Sequence, residues 1–130
     1  MNEFIPYLAC EPARTAISWY CHVFAAVCSE LIADGPERVA HAELNIGQSR
    51  FFVSSVYEDH HLHDPRTQTS VASAVAVVCT TIANPLARAL TTGATLLRPV
   101  EVGRNAKFRD PFGHIWFLNQ VSLTHDKTEE

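Results

Sequence analysis

Residues 39–54 read VAHAELNIGQSRFFVS, and this stretch decides the fold. Apolar and polar side chains alternate on both sides of Gly47-Gln48, a pattern typical of two half-buried strands joined by a tight turn. If Gly47-Gln48 is a two-residue turn, Glu43 lies opposite Phe52 and Asn45 lies opposite Arg50. The stretch therefore predicts a β-hairpin with one apolar face and one mixed face.

The two faces of this hairpin have different expected surroundings. The apolar face should pack against a helix, and it carries Leu44, Ile46, Phe51 and Val53. The mixed face should line a cleft, and it carries His41, Glu43, Asn45, Arg50, Phe52 and Ser54. A one-residue slip would exchange the faces, and the uniformly apolar composition of one of them argues against a slip.

Upstream of the hairpin, the sequence predicts two strands and a helix. Residues 4–9 form a short apolar run, and Glu11-Pro12 then opens a helix with proline in its first turn. Apolar residues follow at helical spacing along one face: Ala13, Ala16, Ile17, Tyr20 and Phe24. A further strand is predicted at residues 27–33, before a turn at 34–36.

Downstream, residues 71–121 repeat the same order. Strands are predicted at 71–79, 94–98, 104–109 and 114–121, with a helix at 82–90. Each half is thus a strand, a helix and three strands, so the fold class is α+β with two βαβββ modules. We also considered a ferredoxin-like βαββαβ domain, but it does not explain a hairpin at the end of both halves.

We predict a single domain over residues 1–123. Its first module covers 3–56, a polar linker covers 57–70, and its second module covers 71–121. The linker lacks periodicity and includes a histidine-rich tract at 59–64, which we interpret as a solvated loop rather than a metal site. A charged tail is predicted at 124–130.

Composition excludes several classes of protein. The chain has 130 residues, of which 47% are hydrophobic and 18% charged, a balance that predicts a folded core. The net charge of -4 leaves no basic surplus for nucleic acid, and no apolar run approaches the roughly 20 residues that span a membrane. The first residues carry an acid and no basic segment, so we expect no signal peptide and a cytoplasmic protein.

Several motifs, in order and spacing, resemble a known superfamily. They are residues 5–8 (IPYL), 16–20 (AISWY), 23–26 (VFAA), 41–47 (HAELNIG), 87–90 (ARAL), 93–95 (GAT) and 110–114 (DPFGH). Together they are similar to the glyoxalase/bleomycin resistance/dioxygenase proteins, the vicinal oxygen chelate superfamily, and residues 41–47 resemble its PhnB-like branch. The resemblance covers residues 3–121.

The resemblance implies two cupped sheets, each with its helix on the convex side, around a cleft. It also implies a homodimer. Members include lyases, isomerases, ring-cleaving dioxygenases, thiol transferases and proteins that only sequester drugs, so fold alone does not decide the function.

Alternation and the resemblance together predict the residues that face the cleft. The candidate ligand-binding residues are Ile5, Tyr7, Phe52, Ser54, Ala74, Ala76, Phe117 and Asn119. An apolar, aromatic lining with few polar groups is typical of a small-molecule site. The alternative is that these side chains simply fill the interior.

His41 and Glu43 are the candidate catalytic residues. They lie two apart on one strand face, where a histidine and a carboxylate could act as a general base and its orienting group. The alternative is a hydrogen-bonded polar pair that only orders the sheet.

The resemblance also implies where metal-using members place their ligands, one on each of four strands. Those positions correspond here to Ile5, Phe52, Ala74 and Phe117, and none has a donor atom. We therefore predict no metal site and no cofactor.

From these observations we expect a metal-independent binding protein that holds a small apolar or aromatic molecule, such as an antibiotic, in a dimer cleft. The alternative that stays open is a lyase, isomerase or dioxygenase of the same superfamily, either metal-dependent or using His41 and Glu43.

Overall fold

A computed structural model describes residues 1–101 and 104–121 of the chain. The tail predicted at 124–130 lies outside the described residues. No helix in the described part is long and apolar enough to cross a membrane.

Both modules have the predicted order of elements. The first contains β1 (Tyr7–Ala9), α1 (Ala13–Phe24), β2 (Val27–Asp34), β3 (Arg38–Ile46) and β4 (Ser49–Ser54). The second contains β5 (Ala74–Cys79), α2 (Ala83–Thr91), β6 (Thr95–Glu101), β7 (Asn105–Arg109) and β8 (Ile115–Gln120). The strand orders are β1-β4-β3-β2 and β5-β8-β7-β6. The α+β class with two βαβββ modules is confirmed.

Some boundaries differ from the predicted ones. The first strand starts at Tyr7 rather than at residue 4, although the carbonyl of Pro6 still accepts a hydrogen bond from the Phe52 amide at 2.9 Å. Proline has no amide hydrogen to extend the ladder further. The fifth strand starts at Ala74 rather than at 71, and the linker contains two short 3-10 helices, Glu58–His60 and Pro65–Thr67.

The hairpin of β3 and β4 has the predicted register. Glu43 pairs with Phe52 and Asn45 pairs with Arg50. On the apolar face Leu44, Phe51 and Val53 are buried, and Ile46 is half-buried against the core. The alternation of side chains was therefore sufficient to orient the hairpin.

Helix α1 joins the two modules into one core. The ring of Tyr20 lies 5.5 Å from Phe51 of the first sheet and 5.3 Å from Trp116 of the second. Phe51 and Trp116 are themselves 5.7 Å apart, measured between ring centroids. Both sheets thus direct their apolar face toward a shared interior, and their opposite faces point away from it.

A buried carboxylate in this interior forms hydrogen bonds with residues of both modules. Asp110, 4% exposed, accepts hydrogen bonds from the Tyr20 hydroxyl at 2.5 Å and from Trp116 Nε1 at 2.8 Å. It also accepts from the backbone amides of Phe112 at 2.9 Å and His114 at 3.0 Å. Burial, with the nearby Cys10 and Asp110, raises the pKa of Tyr20 well above its usual value, so its hydroxyl stays a donor.

The linker is held by one side chain of the second module. The guanidinium of Arg109 donates to the carbonyls of Pro65 at 2.8 Å, Gln68 at 2.7 Å, Thr69 at 2.8 Å and Gly113 at 2.9 Å. The end of the linker is therefore packed on the second hairpin.

Candidate functional site

The open face of the first module is its sheet surface opposite the core, and an aromatic cluster occupies its middle. Tyr7 lies beside Phe52 in the parallel register of β1 and β4. The ring centroids of Tyr7 and Phe52 are 5.7 Å apart, those of Tyr7 and His41 are 5.7 Å apart, and those of His41 and Phe52 are 4.6 Å apart. Tyr7 is 44% exposed, so the cluster is accessible to a ligand.

The hydrogen-bond partner of His41 is a phenol. The Tyr7 hydroxyl lies 3.2 Å from His41 Nδ1, and either atom can donate, depending on the tautomer of the imidazole. The sequence hypothesis paired His41 with Glu43, but the carboxylate of Glu43 accepts from Arg50 at 3.2 Å. Tyr7 comes from a strand 34 residues away, so no local pattern could have indicated this pair.

Arg50 lies between two carboxylates at the edge of the same face. Its guanidinium contacts Glu3 at 2.9 Å and Glu43 at 3.2 Å, and it lies 5.6 Å from the centroid of the Phe52 ring. The hydrogen bonds to Glu3 and then Glu43 raise the pKa of Arg50, and the bond to Arg50 lowers the pKa of Glu3. Arg50 and Glu3 are therefore both charged at neutral pH.

The open face of the second module is simpler. Phe117 lies beside Ala76 and opposite Lys107, whose Nζ is 5.4 Å from the Phe117 ring centroid. Ile115 lies beside Ala74, and Ala74 and Ala76 are both exposed. This face is thus apolar with a cation above its aromatic ring.

The structure brings the candidate ligand-binding residues together in two groups. Tyr7 and Phe52 are neighbours on the first open face, and the second open face carries Ala74, Ala76, Phe117 and Asn119. Ile5 lies half-buried just before β1. Ser54 is 3% exposed and its hydroxyl donates to the Ser55 carbonyl at 2.8 Å, so it has little surface for a ligand.

The strand positions that hold metals in the superfamily carry residues that do not fit a metal ion in this chain. The four positions named from the resemblance, Ile5, Phe52, Ala74 and Phe117, have no donor atom in their side chains. The register puts Tyr7 rather than Ile5 next to Phe52, and Ala76 rather than Ala74 next to Phe117. Of these two neighbours only Tyr7 has a donor atom, a hydroxyl that is already bonded to His41. Within residues 1–101 and 104–121 no group of three or more His, Cys, Asp or Glu side chains could hold a metal ion. A divalent ion would lack the three or four ligands that it requires.

Comparison with known proteins gives a match in structure but not in sequence. No protein-family model and no curated protein sequence matches the chain. The gene product of Arabidopsis thaliana AT5G48480 superposes with a TM-score of 0.72 at 23% identity, over 92% of this chain and 98% of that one. A PhnB protein from Bacillus cereus gives a TM-score of 0.72 at 16% identity, over 92% of this chain and 100% of that one. The chain has the vicinal oxygen chelate fold.

A third structure with the vicinal oxygen chelate fold contains a metal ion. The fosfomycin resistance protein FosX from Listeria monocytogenes, complexed with Mn(II) and a sulfate ion, gives a TM-score of 0.68 at 12% identity. The match covers 98% of this chain and 99% of that one. At such identities the likeness establishes the fold, and the function has to be argued from this chain's own residues.

Proposed function

We propose that this chain is a metal-independent binding protein of the PhnB-like branch. It holds a small apolar or aromatic molecule, such as an antibiotic, against the open faces of its sheets. The observation that carries the proposal is the accessible cluster of Tyr7, His41 and Phe52, in which Phe52 presents a ring at a position that corresponds to a metal ligand in metal-using members of the superfamily. Ring contacts of this kind add about 0.5–1.5 kcal/mol each beyond simple burial.

We further propose that the binding cleft forms between two copies of the chain. Both sheets turn their apolar face to one core, so the two open faces of a single chain do not face each other. On the first open face the two carboxylates of Glu3 and Glu43 outnumber the one cation, Arg50, whereas the second face carries Lys107 opposite Phe117. The two faces are therefore complementary in charge. Exposed apolar side chains such as Val78, 71% exposed, also favour a partner on these faces.

The homodimer is tested by sedimentation equilibrium at micromolar concentration. We expect twice the 14.4 kDa mass of the chain. A monomer under these conditions would contradict the proposal. Glu43→Lys should weaken the dimer and Glu43→Lys with Lys107→Glu should restore it, because the double variant exchanges the two charges between the faces.

The chain's thiols fit the expected cytoplasmic location. Cys10, Cys21, Cys28 and Cys79 are all free. Free thiols are the ordinary state of cysteine in a reducing compartment, so we propose that the protein works in the cytoplasm.

The ligand site is tested with N-phenyl-1-naphthylamine, an uncharged planar fluorophore. Phe52→Ala should raise its dissociation constant about five- to tenfold, because the variant removes the central ring of the aromatic cluster. Leu62→Ala is the control, since Leu62 is an exposed apolar residue of the linker that lies outside the cluster. Equal binding by the wild-type protein and Phe52→Ala would contradict the assignment.

Metal independence has a separate test. Stoichiometric nickel, zinc or iron in untagged protein, lost in His41→Ala or Glu43→Ala, would overturn it. Metal bound only at the exposed histidines of the linker would leave the open face as proposed.

One observation favours a second function. The Tyr7 hydroxyl and His41 Nδ1 lie 3.2 Å apart on a ligand-accessible face, and this hydrogen-bonded arrangement would suit the acid–base chemistry of a metal-free lyase or isomerase. Incubation with a ligand found by screening separates the two functions: a binding protein returns the ligand unchanged, whereas an enzyme converts it and loses the conversion in Tyr7→Phe.

A further inference from the structure

A crevice of about 500 Å³ lies between the two modules, beside the first open face. Much of its wall comes from side chains that face the core side of the sheets, among them Ile46, Phe51, Val75, Val77 and Trp116. Phe52, Tyr7 and His41 are not among its lining residues, so it is distinct from the aromatic cluster. Its volume falls within the range of small-molecule sites.

Among the described residues, the charged groups that line this crevice are one guanidinium and one carboxylate. Arg50 lines it from β4, and Glu3 lines it from the segment that precedes β1. The remaining wall is mainly aliphatic and aromatic, with Gln48 and Ser49 at the turn. The crevice therefore combines a long apolar surface with a cation.

Arg50 already binds a carboxylate at this place. Its Nε lies 3.1 Å from one oxygen of Glu3, and its Nη2 lies 2.9 Å from the other. This two-point contact is the geometry in which arginine recognises a carboxylate. Its Nη1 contacts Glu43 at 3.2 Å, which orients the guanidinium independently of Glu3.

We propose that the crevice binds a small carboxylic acid with an apolar body, and that its carboxylate takes the place of Glu3 on Arg50. Glu3 is then an internal competitor that occupies the anion position when no ligand is bound. The ligand's apolar body lies along the half-buried side chains of Val75 and Val77, which the short aliphatic chain of Glu3 does not cover as a ligand tail would.

Displacement of Glu3 requires little reorganisation. The side chains of Arg50 and Glu3 are 36% and 47% exposed, and exposed ion pairs contribute little and are weakened by salt. Glu3 precedes the first strand, so it can leave Arg50 without breaking the ladder of the sheet. The ligand gains the burial of its apolar body, which Glu3 lacks.

The test uses sodium octanoate, with 1-octanol as the uncharged probe of equal chain length, in titration calorimetry at neutral pH. Octanoate should bind wild-type protein about tenfold more tightly than octanol. Glu3→Gln should tighten octanoate binding about two- to fivefold, because it removes the competitor. Arg50→Gln should abolish the preference for octanoate over octanol.

Arg66→Gln is the matched control. Arg66 is exposed and forms an ion pair with the half-buried Asp64 at 2.7 Å, and it does not line the crevice. Its removal should leave octanoate binding unchanged. The amide resonances of Val75 and Val77 should shift on octanoate addition, which locates the ligand independently of affinity.

Three outcomes would overturn the proposal. They are the absence of octanoate binding to both the wild-type protein and Glu3→Gln, equal affinities for octanoate and octanol in the wild-type protein, and unchanged octanoate affinity in Arg50→Gln. Phe52→Ala separates this site from the proposed cleft: octanoate binding lost in Phe52→Ala but kept in Arg50→Gln would assign the ligand to the open face and overturn the crevice.

Discussion

The two modules have the same topology, but their chemistry is distributed differently. Phe52 and Phe117 occupy the same place in the two sheets. Beside Phe52 stands Tyr7 and opposite it Glu43, whereas Phe117 has Ala76 and Lys107 in those positions. The repeat thus keeps the framework of the sheet while the open faces differ in charge and in hydrogen-bonding groups.

The hairpin turns of the two modules differ in how closely they pack against the rest of the chain. In the first module Gly47 borders open space, because a Cβ added there would meet no atom of the described residues within 4 Å. In the second, the turn at 110–113 contains the buried Asp110, and Gly113 abuts the backbone of the linker. The first module therefore carries the exposed polar chemistry, and the second carries the contacts that hold the chain together.

Among variants that test this difference between the modules, we expect Asp110→Ala to have the largest effect on stability. It removes the carboxylate acceptor of four donors: the buried groups of Tyr20, Trp116 and Phe112 and the half-buried amide of His114. We expect the free energy of unfolding to fall by at least about 3 kcal/mol in urea denaturation. Asp34→Ala removes an exposed acceptor of a tyrosine hydroxyl and should change stability little; equal effects would contradict the central role of Asp110.

The two hairpin glycines give the next test. A Cβ at Gly113, where φ is +97°, would lie 2.7 Å from the Arg66 nitrogen and from the Pro65 carbonyl carbon. Because these are backbone atoms, Gly113→Ala should destabilise the protein by about 2–3 kcal/mol or more. Gly47→Ala faces only the cost of its φ of +57° and should lose about 1 kcal/mol. If thermal unfolding showed similar losses of stability in Gly113→Ala and Gly47→Ala, the proposed difference in packing between the two turns would be wrong.

The smallest effects on stability are expected at the carboxyl-terminal ends of the two helices. After α1, Ala25 adopts φ 57° and ψ 36°, whereas Gly93 follows α2 with φ 107°. Ala25 is exposed, so Ala25→Gly should relieve strain and stabilise the protein by about 0.5–1 kcal/mol. Ala87→Gly, on an exposed position inside α2, should instead destabilise it by about 1 kcal/mol. If Ala25→Gly instead lowered the free energy of unfolding, the left-handed conformation of Ala25 would not be a source of strain.

Local patterns were enough to predict the element order and the register of the first hairpin. Alternating side chains specify which face is buried, and a two-residue turn specifies which residues pair. Local patterns could not predict two register shifts between β2 and β3, between Cys28 and Glu30 and between Ile32 and Ala33, because a bulge depends on the partner strand.

The strand faces of the candidate residues were predictable, but the contacts of these residues were not. Alternation and the resemblance together indicated the faces of Tyr7, Phe52 and Phe117, since every second residue of a strand shares a face. The partners of His41 and Arg50 lie 34 and 47 residues away, on Tyr7 and Glu3. Such pairs depend on how β1 joins the sheet, which no spacing within one segment encodes.

The shared interior has a consequence during synthesis. A ribosome completes α1 long before it adds Asp110 and Trp116, the residues that cover Tyr20 in the finished protein. Until then the emerging first module exposes an aromatic helix face to the cell, and its tyrosine hydroxyl has no acidic partner. The nascent chain should therefore be a client of ribosome-associated chaperones for as long as the last hairpin is missing.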